Sequence, residues 1–308
     1  MDKIYVIAGP TASGKTAVAV QLAKLIGGEV VSADSMQIYE GMDIGTAKPT
    51  LEERENIPHH MLDIVKPDVQ YSAALYQLHA RAAIADVQAR GHVPILCGGT
   101  GFYINAALYD VQFAQEEGGN PAEMALREQF MEYAAAHGCH KLHAMLHEAD
   151  PAAAYAIHSN NIKRVSRALS YVRATGRLFS EHNAAERARP PVYDVVFCRL
   201  GVDRPALYER INKRTQAMFD AGLEYEVAGL MASGYSPGLT SMQGIGYKEV
   251  VVFLRGECTR SEAVEAVKQN SRRYAKRQET WFRNRSPDGV VVDAEVAAAD
   301  VARKIAVL

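Results

Sequence analysis

Apolar positions along this chain fall into short continuous runs that alternate with helical stripes. Ile4-Tyr-Val-Ile-Ala8 has strand length, and Ala17–Lys24 carries apolar residues at helical spacing. Glu29–Ser32 reads as a second short strand. Tyr71–Arg90 has a helical period that stops at Gly91, and Val93–Cys97 is a third buried strand. Asp194–Leu200 returns to a strand. A helix then runs to about Ala221, with Asp203 as its expected cap, Pro205 in its first turn and Gly222 as its stop. The last long helix spans about Arg260–Arg285, with Val264, Val267, Ser271, Tyr274, Gln278 and Trp281 expected to face the body of the protein. Val290–Val292 and Asp300–Leu308 close the chain as a short strand and a helix. Strands alternating with helices predict an α/β fold, a parallel sheet flanked by helices.

The alternation breaks near Asp110. Residues 114–120 are polar and Gly-rich and read as a linker. Helical patterns follow near Pro121–His137, Lys141–Glu148 and Asn160–Thr175, with no strand-like run between them. This predicts a core built from residues 1–110 and 190–308, with an all-helical subdomain inserted at 111–189. Residues Gly41–Asp63 lack a period and look loop-like, and a loop that long is more often functional than idle.

Composition narrows the classes. The 308 residues are 48 % apolar and 23 % charged, as in ordinary globular proteins. The net charge of −2 provides no global field for nucleic acid, so any such site is a local patch. Cys97, Cys139, Cys198 and Cys258 are dispersed, without C-x-x-C spacing, which fits a reducing cytoplasm. No signal-peptide pattern and no apolar run of about 18 residues is present, so no membrane partner is expected. His59-His60 do not form a metal site by pattern, because adjacent residues face opposite ways and no further ligand stands nearby.

Candidate chemistry begins at Gly9-Pro10-Thr11-Ala12-Ser13-Gly14-Lys15-Thr16. Strand, Gly-rich loop, helix is the context in which G-x-x-x-x-G-K-[ST] cradles phosphates. Glycines permit the tight path, and the helix start points N–H groups and a positive dipole end at an anion. Lys15 supplies charge to a terminal phosphate, and the Thr16 hydroxyl supplies a ligand for Mg²⁺. The loop thus predicts a bound di- or triphosphate in a P-loop NTPase-like sheet. A nucleotide or ATP reading would follow from the motif alone.

Past the second strand, Asp34 and Ser35 would line the ligand crevice beside this loop, if the two strands are neighbours. Asp34 reads either as a functional carboxylate or as a helix cap. After the third strand the chain offers Gly98-Gly-Thr100-Gly and no carboxylate, where ATP-hydrolysing enzymes place a metal-supporting Asp. That stretch is either a site loop presenting Thr100 or a plain turn. Arg210 and Arg214, one turn apart, suit a phosphate clamp or a surface pair. Lys163, Arg164 and Arg167 make one face of the 160–175 helix basic, and Lys276, Arg277 and Arg283 stand on the aromatic-bearing last helix. Both faces read as polyanion footprints or as solvated surfaces.

Eight stretches in order, GPTASGKT at 9–16, SADSMQIY at 32–39, GMDIGTAKP at 41–49, PHHMLD at 58–63, GGTGFY at 98–103, RVSRAL at 164–169, GIGYKE at 244–249 and KRQETWFR at 276–283, give the chain its likeness. It resembles the bacterial tRNA dimethylallyltransferases. The resemblance implies transfer of a dimethylallyl group from dimethylallyl diphosphate to the exocyclic amino group of the adenine next to the anticodon. It implies Asp34 as the general base, and Lys15, Thr16 with Mg²⁺, Thr100 and Arg214 as stabilisers of the departing diphosphate. Residues 9–16 would hold that diphosphate. Asp34, Ser35, Met36 and Gln37, with Thr100, would read the flipped base. Lys163, Arg164, Arg167, Gln243, Gly244, Tyr247, Lys248, Lys276, Arg277 and Arg283 would hold the anticodon stem-loop, partly through the helical insertion, with the protein acting as a monomer. Lys163 stands where the family often has Arg or Gln, Ser170 where Glu is common, and Gln243-Gly244 where some members have Arg-Cys. Competing readings are a free adenylate isopentenyltransferase, a small-molecule P-loop kinase and a non-catalytic tRNA-binding module.

Overall fold

The structure is a computed structural model, and it describes residues 3–111, 121–286 and 289–308, with the backbone alone at Arg187. The expected linker at 114–120 lies outside the described residues. The elements are β1 (Lys3–Ala8), α1 (Lys15–Ile26), β2 (Gly28–Ser32), α2 (Leu51–Arg54), β3 (His59–His60), α3 (Ala73–Ala89), β4 (Val93–Gly98) and α4 (Gly101–Leu108). Then come α5 (Pro121–His137), α6 (Cys139–Ala149), α7 (Pro151–Ala156), α8 (Ile162–Thr175) and α9 (Phe179–Arg187). The chain returns through β5 (Asp194–Gly201), α10 (Arg204–Asp220), α11 (Leu223–Ala232), α12 (Tyr247–Leu254), α13 (Arg260–Arg285), β6 (Val290–Asp293) and α14 (Ala298–Ala306).

The fold is α/β, with a P-loop NTPase-like sheet. Six strands pair in the order β3-β2-β4-β1-β5-β6, every pair parallel. β1 lies inside the sheet, and Ile4–Ala8 are all buried, which is why its sequence is a continuous apolar run. α1 and α14 pack together against one face, through Val18, Leu22, Val301 and Ile305. A second core joins α10, α11, α12 and α13 to the segment after β2, around Ile38, Tyr39, Met42, Phe219 and Tyr247.

Three local expectations are corrected. β2 does not neighbour β1: β4 lies between them, so the segment after β2 meets the end of β4 first. The 41–63 stretch is not all loop, since Thr50 caps the one-turn α2 and His59–His60 add an edge strand to β2. Two residues of strand are too few to leave a period. Asp203 precedes α10 without capping it by its side chain.

The chain divides into two units, 3–108 with 192–308, and Tyr109–Pro191. In the second, α5 to α9 surround their own core of Leu142, Leu146, Ile157, Val165, Leu169 and Phe179. Asp150, fully buried, caps α7 through the Ala153 N–H and also accepts from the Ser180 N–H, joining α7 to α9. These two short helices have no counterpart in the periodicity reading, because six to nine residues hold too few apolar repeats.

Candidate active site

The phosphate loop follows β1 and enters α1 through Gly14, whose φ of 88° is a left-handed value that glycine adopts at little cost. No side chain caps α1, so its first-turn N–H groups keep their anion-binding character. Ala12 is also left-handed, with φ 61°, although it carries a Cβ, and Ser13 N–H donates to Pro10 O at 3.3 Å. A Cβ on Gly9 would lie 3.0 Å from Ser13 Oγ. That hydroxyl is buried and has no hydrogen-bond partner. Lys15 Nζ donates to Pro10 O at 2.7 Å, folding the charge over the loop. Burial lowers the Lys15 pKa to about 8, with Arg214 adding to the shift and Asp34 among the groups opposing it. Thr16 is half-buried in the first turn of α1.

The carboxylate candidate reaches this region through the β2–β4 pairing. Ala33 N–H donates to Cys97 O at 2.8 Å, and Thr100 N–H donates to Ala33 O at 3.0 Å. A Cβ on Gly98 would fall 2.2 Å from Ala33 O, so only glycine allows the two chain ends to cross. Ser35 N–H then donates to Thr100 Oγ1 at 3.1 Å. Asp34 Oδ1 accepts from the Met36 N–H at 2.9 Å, which makes Asp34 the start of a turn and not a helix cap.

A cavity of about 340 Å³ opens here. Thr11, Asp34, Ser35, Arg214 and Arg277 give it polar walls, while Met36, Met218, Ile245 and Val267 give it apolar ones. The two candidate arginines separate. Arg210 reaches Ala294 O at 3.4 Å, at the end of β6, whereas Arg214 lines the cavity. Burial lowers the Arg214 pKa, and the charge of Asp34 works against that shift.

One site residue was seen only as a core position in the periodicity reading. Gln278 of α13 is 6 % exposed. Its Oε1 accepts from the Thr11 N–H at 2.9 Å, and its Nε2 donates to Gly99 O at 2.9 Å. It therefore ties the phosphate loop to the Thr100 loop. A glutamine on the buried stripe of an otherwise solvated helix is the sequence signal that could have marked it.

A model of the family described as IPP transferase matches residues 37–285. The chain belongs to this family. A tRNA dimethylallyltransferase of Bacillus pumilus is 47 % identical over 282 residues, 92 % of this chain and 87 % of its own. A crystal structure of tRNA delta(2)-isopentenylpyrophosphate transferase from Staphylococcus epidermidis superposes with a TM-score of 0.72 at 40 % identity, covering 100 % of this chain and 98 % of that one. A eukaryotic dimethylallyltransferase, captured acting on tRNA, gives 0.79 at 28 % identity, with 96 % and 74 % covered.

Within this IPP transferase the expected RNA-facing residues are placed unevenly. Gln243, Gly244 and Lys248 line the cavity with Arg277, and Lys276 and Arg283 are exposed on α13. Lys163, Arg164 and Arg167 are exposed on α8 of the helical unit, opposite its buried Val165, Ala168 and Leu169. Ser170 is buried and donates to Arg167 O at 3.0 Å. Two of the expected residues are also bonded within the protein. The Gln37 amide group is committed to the protein: Nε2 donates to Thr46 O and Ala47 O, and Oε1 accepts from Ser32. Tyr247 is buried, and its hydroxyl donates to Glu226 Oε1 at 2.6 Å, so it forms cavity wall. Gly244 sits where a Cβ would come within 2.6 Å of Met36 Cε, which fits wall packing.

Among the described residues no cluster of three His, Cys, Asp or Glu could hold a metal. His60 pairs with Glu29 at 2.7 Å, and His59 Nδ1 bonds Ile57 O at 2.8 Å. One hydroxyl, Thr16, beside an anion-binding helix start is a donor set that suits Mg²⁺. That ion usually keeps waters and phosphate oxygens as most of its ligands. Among the described residues no helix is long and apolar enough to cross a membrane.

Proposed function

We propose that this IPP transferase moves a dimethylallyl group from dimethylallyl diphosphate to the exocyclic amino nitrogen of the adenine beside the anticodon in tRNA. The observation that carries the reading is the shared cavity of Asp34 and Arg214, next to a phosphate loop whose neighbouring strand β4 ends in Gly98-Gly99-Thr100 and not in a metal-supporting acid. A phosphate grip without that acid suits a diphosphate that leaves, and the names of the relatives agree.

The amino nitrogen of adenine is a weak nucleophile, because its lone pair is delocalised into the ring. As it bonds the allylic carbon, the carbon–oxygen bond to diphosphate breaks and the nitrogen becomes acidic. Asp34 takes that proton as general base. The Met36 N–H fixes one of its carboxylate oxygens and thus aims the group. Charge grows on the leaving diphosphate, and Lys15, Arg214, the Thr100 hydroxyl and the α1 N-terminus are the groups that meet it. Thr16 would hold Mg²⁺ with the diphosphate; bound there, the ion neutralises leaving-group charge. The apolar cavity wall of Met36, Met218, Ile245 and Val267 suits the prenyl chain and excludes water. The adenine enters by leaving its stack, and the basic face of α13 holds the stem-loop beside the cavity; the basic face of α8 is a further contact for the RNA, made by the helical unit. The account needs no residue of a second chain, and the free, dispersed cysteines suit work in the reducing cytoplasm.

The test is incubation with labelled dimethylallyl diphosphate and either an unmodified anticodon stem-loop or AMP, followed by nucleoside mass analysis. Label on the stem-loop adenine is expected. Label on AMP alone would make the chain a free adenylate enzyme, and phosphate transfer from ATP with the prenyl donor untouched would make it a kinase. Asp34→Asn should lower the transfer rate by about 10²–10⁴-fold while leaving stem-loop affinity within about twofold.

A further inference from the structure

Phe102 is 69 % exposed in the first turn of α4, two residues beyond Thr100. One exposed aromatic is ordinary on a protein surface. This one has a partner. Its ring centre lies 6.3 Å from the Trp281 indole, with the planes at 52°. The indole is held from behind: a Cβ at Gly101 would come within 2.3 Å of its ring carbons, so it lies directly on the Gly101 backbone. Phe282, fully buried, braces it edge-on at 5.1 Å and 83°. A fixed indole thus stands beside an open phenyl ring.

The surroundings are basic. Lys276, Arg277 and Arg283 are exposed on the same helix as Trp281. Arg277 lies over the Tyr274 ring, 5.5 Å from its centre, and also lines the cavity. It precedes Trp281 by four residues, just over one helical turn or about 6 Å along α13. Asp34 and Arg277 line the cavity, whereas the two rings do not. Aromatic faces flanked by cations bind unpaired bases, since every base has a face to stack and a phosphate to neutralise.

We propose that Phe102 and Trp281 form a stacking platform for an unpaired base flanking the adenine that enters the cavity. The proposal rests on the tRNA reading above and adds a contact that is sequence-tolerant, because stacking does not read base edges. The platform holds the neighbouring nucleotide after the adenine has left its stack, and Phe102 supplies most of its open face.

Trp281 is the only tryptophan in the chain, so its emission reports on the platform directly. The full-length protein is titrated with an unmodified anticodon stem-loop, and with the same RNA made abasic at each nucleotide flanking the target adenine. Trp281 emission should be quenched by the intact RNA and by one of the two abasic RNAs, and much less by the other. Phe102→Ala should weaken binding of the intact RNA by about 5- to 100-fold. It should leave the KM for dimethylallyl diphosphate within twofold, and Phe102→Tyr should restore affinity. With the discriminating abasic RNA, wild type and Phe102→Ala should bind alike. Transfer by the wild type, with unchanged emission and equal affinity of Phe102→Ala for the intact RNA, overturns the platform and leaves the function standing. Self-association lost in Phe102→Ala, with RNA affinity intact, assigns the patch to a second copy and also overturns it. Absence of transfer to any RNA removes the function and the platform together.

Discussion

Gln278 and Thr11 are 267 residues apart in the chain and are joined by a 2.9 Å hydrogen bond from the Thr11 N–H to the Gln278 carbonyl oxygen. The amide nitrogen of the same side chain donates to Gly99 O. One buried glutamine therefore sets the spacing between the loop that would grip the diphosphate and the loop that carries Thr100. Gln278→Leu would leave a donor and an acceptor unpaired at a cost of about 1–3 kcal/mol each. We expect a lower Tm in thermal unfolding and transfer slowed by about 10–100-fold, since small misplacements are costly in catalysis. Gln278→Glu keeps the acceptor toward Thr11 but turns a buried carboxylate oxygen onto Gly99 O, and should lose at least as much stability as Gln278→Leu.

Arg214 and Arg210 occupy the same face of α10, but only Arg214 lines the cavity. Arg214→Ala should reduce kcat/KM for the prenyl donor by about 10–10³-fold, the usual effect of removing one stabiliser of developing charge. Arg210→Ala should change it by less than about threefold. Steady-state kinetics on both variants decide the matter, and equal losses would remove Arg214 from its assigned role.

Lys15 has a folded-state pKa lowered to about 8 by burial. Its charged form therefore prevails below about pH 8 and is lost above it. Bound diphosphate stabilises the charged form, so binding above pH 8 requires uptake of a proton. Measured relative to Lys15→Met, so that the ligand's own ionisations cancel, affinity for inorganic diphosphate should be flat between about pH 6 and 7.5. It should then weaken toward tenfold per pH unit as pH rises from about 8 to 10. Calorimetry in buffers of differing ionisation enthalpy reads the proton directly. Lys15→Met should bind more weakly and lose this slope.

Glu226 of α11 accepts from the N–H groups of Asp43, Ile44 and Gly45 at 2.9, 2.7 and 3.1 Å, besides the Tyr247 hydroxyl. Gly45 and Tyr247 are cavity wall. Glu226→Ala should destabilise the protein by about 2–4 kcal/mol in denaturant unfolding, because several donors lose one acceptor together. The same change should raise the KM for the stem-loop more than the KM for dimethylallyl diphosphate.

By itself the sequence determined what neighbouring residues encode. The buried run of β1, the loop that needs Gly14 at positive φ, and the stripe of α13 from Arg260 to Arg285 all depend on contacts within a few residues. The eight family stretches also lie in the sequence, in order, and they carried the family reading. The tertiary structure alone decided partners across long separations. It placed β4 between β1 and β2, brought Ser35 to Thr100, and sent Arg214 to the cavity and Arg210 to Ala294. It also tied the Gln37 amide to Thr46 O and Ala47 O, and the Tyr247 hydroxyl to Glu226. The physical reason is the same in each case. Periodicity and backbone preference are local, while the far end of a side chain meets whatever group the packing of the whole chain puts there.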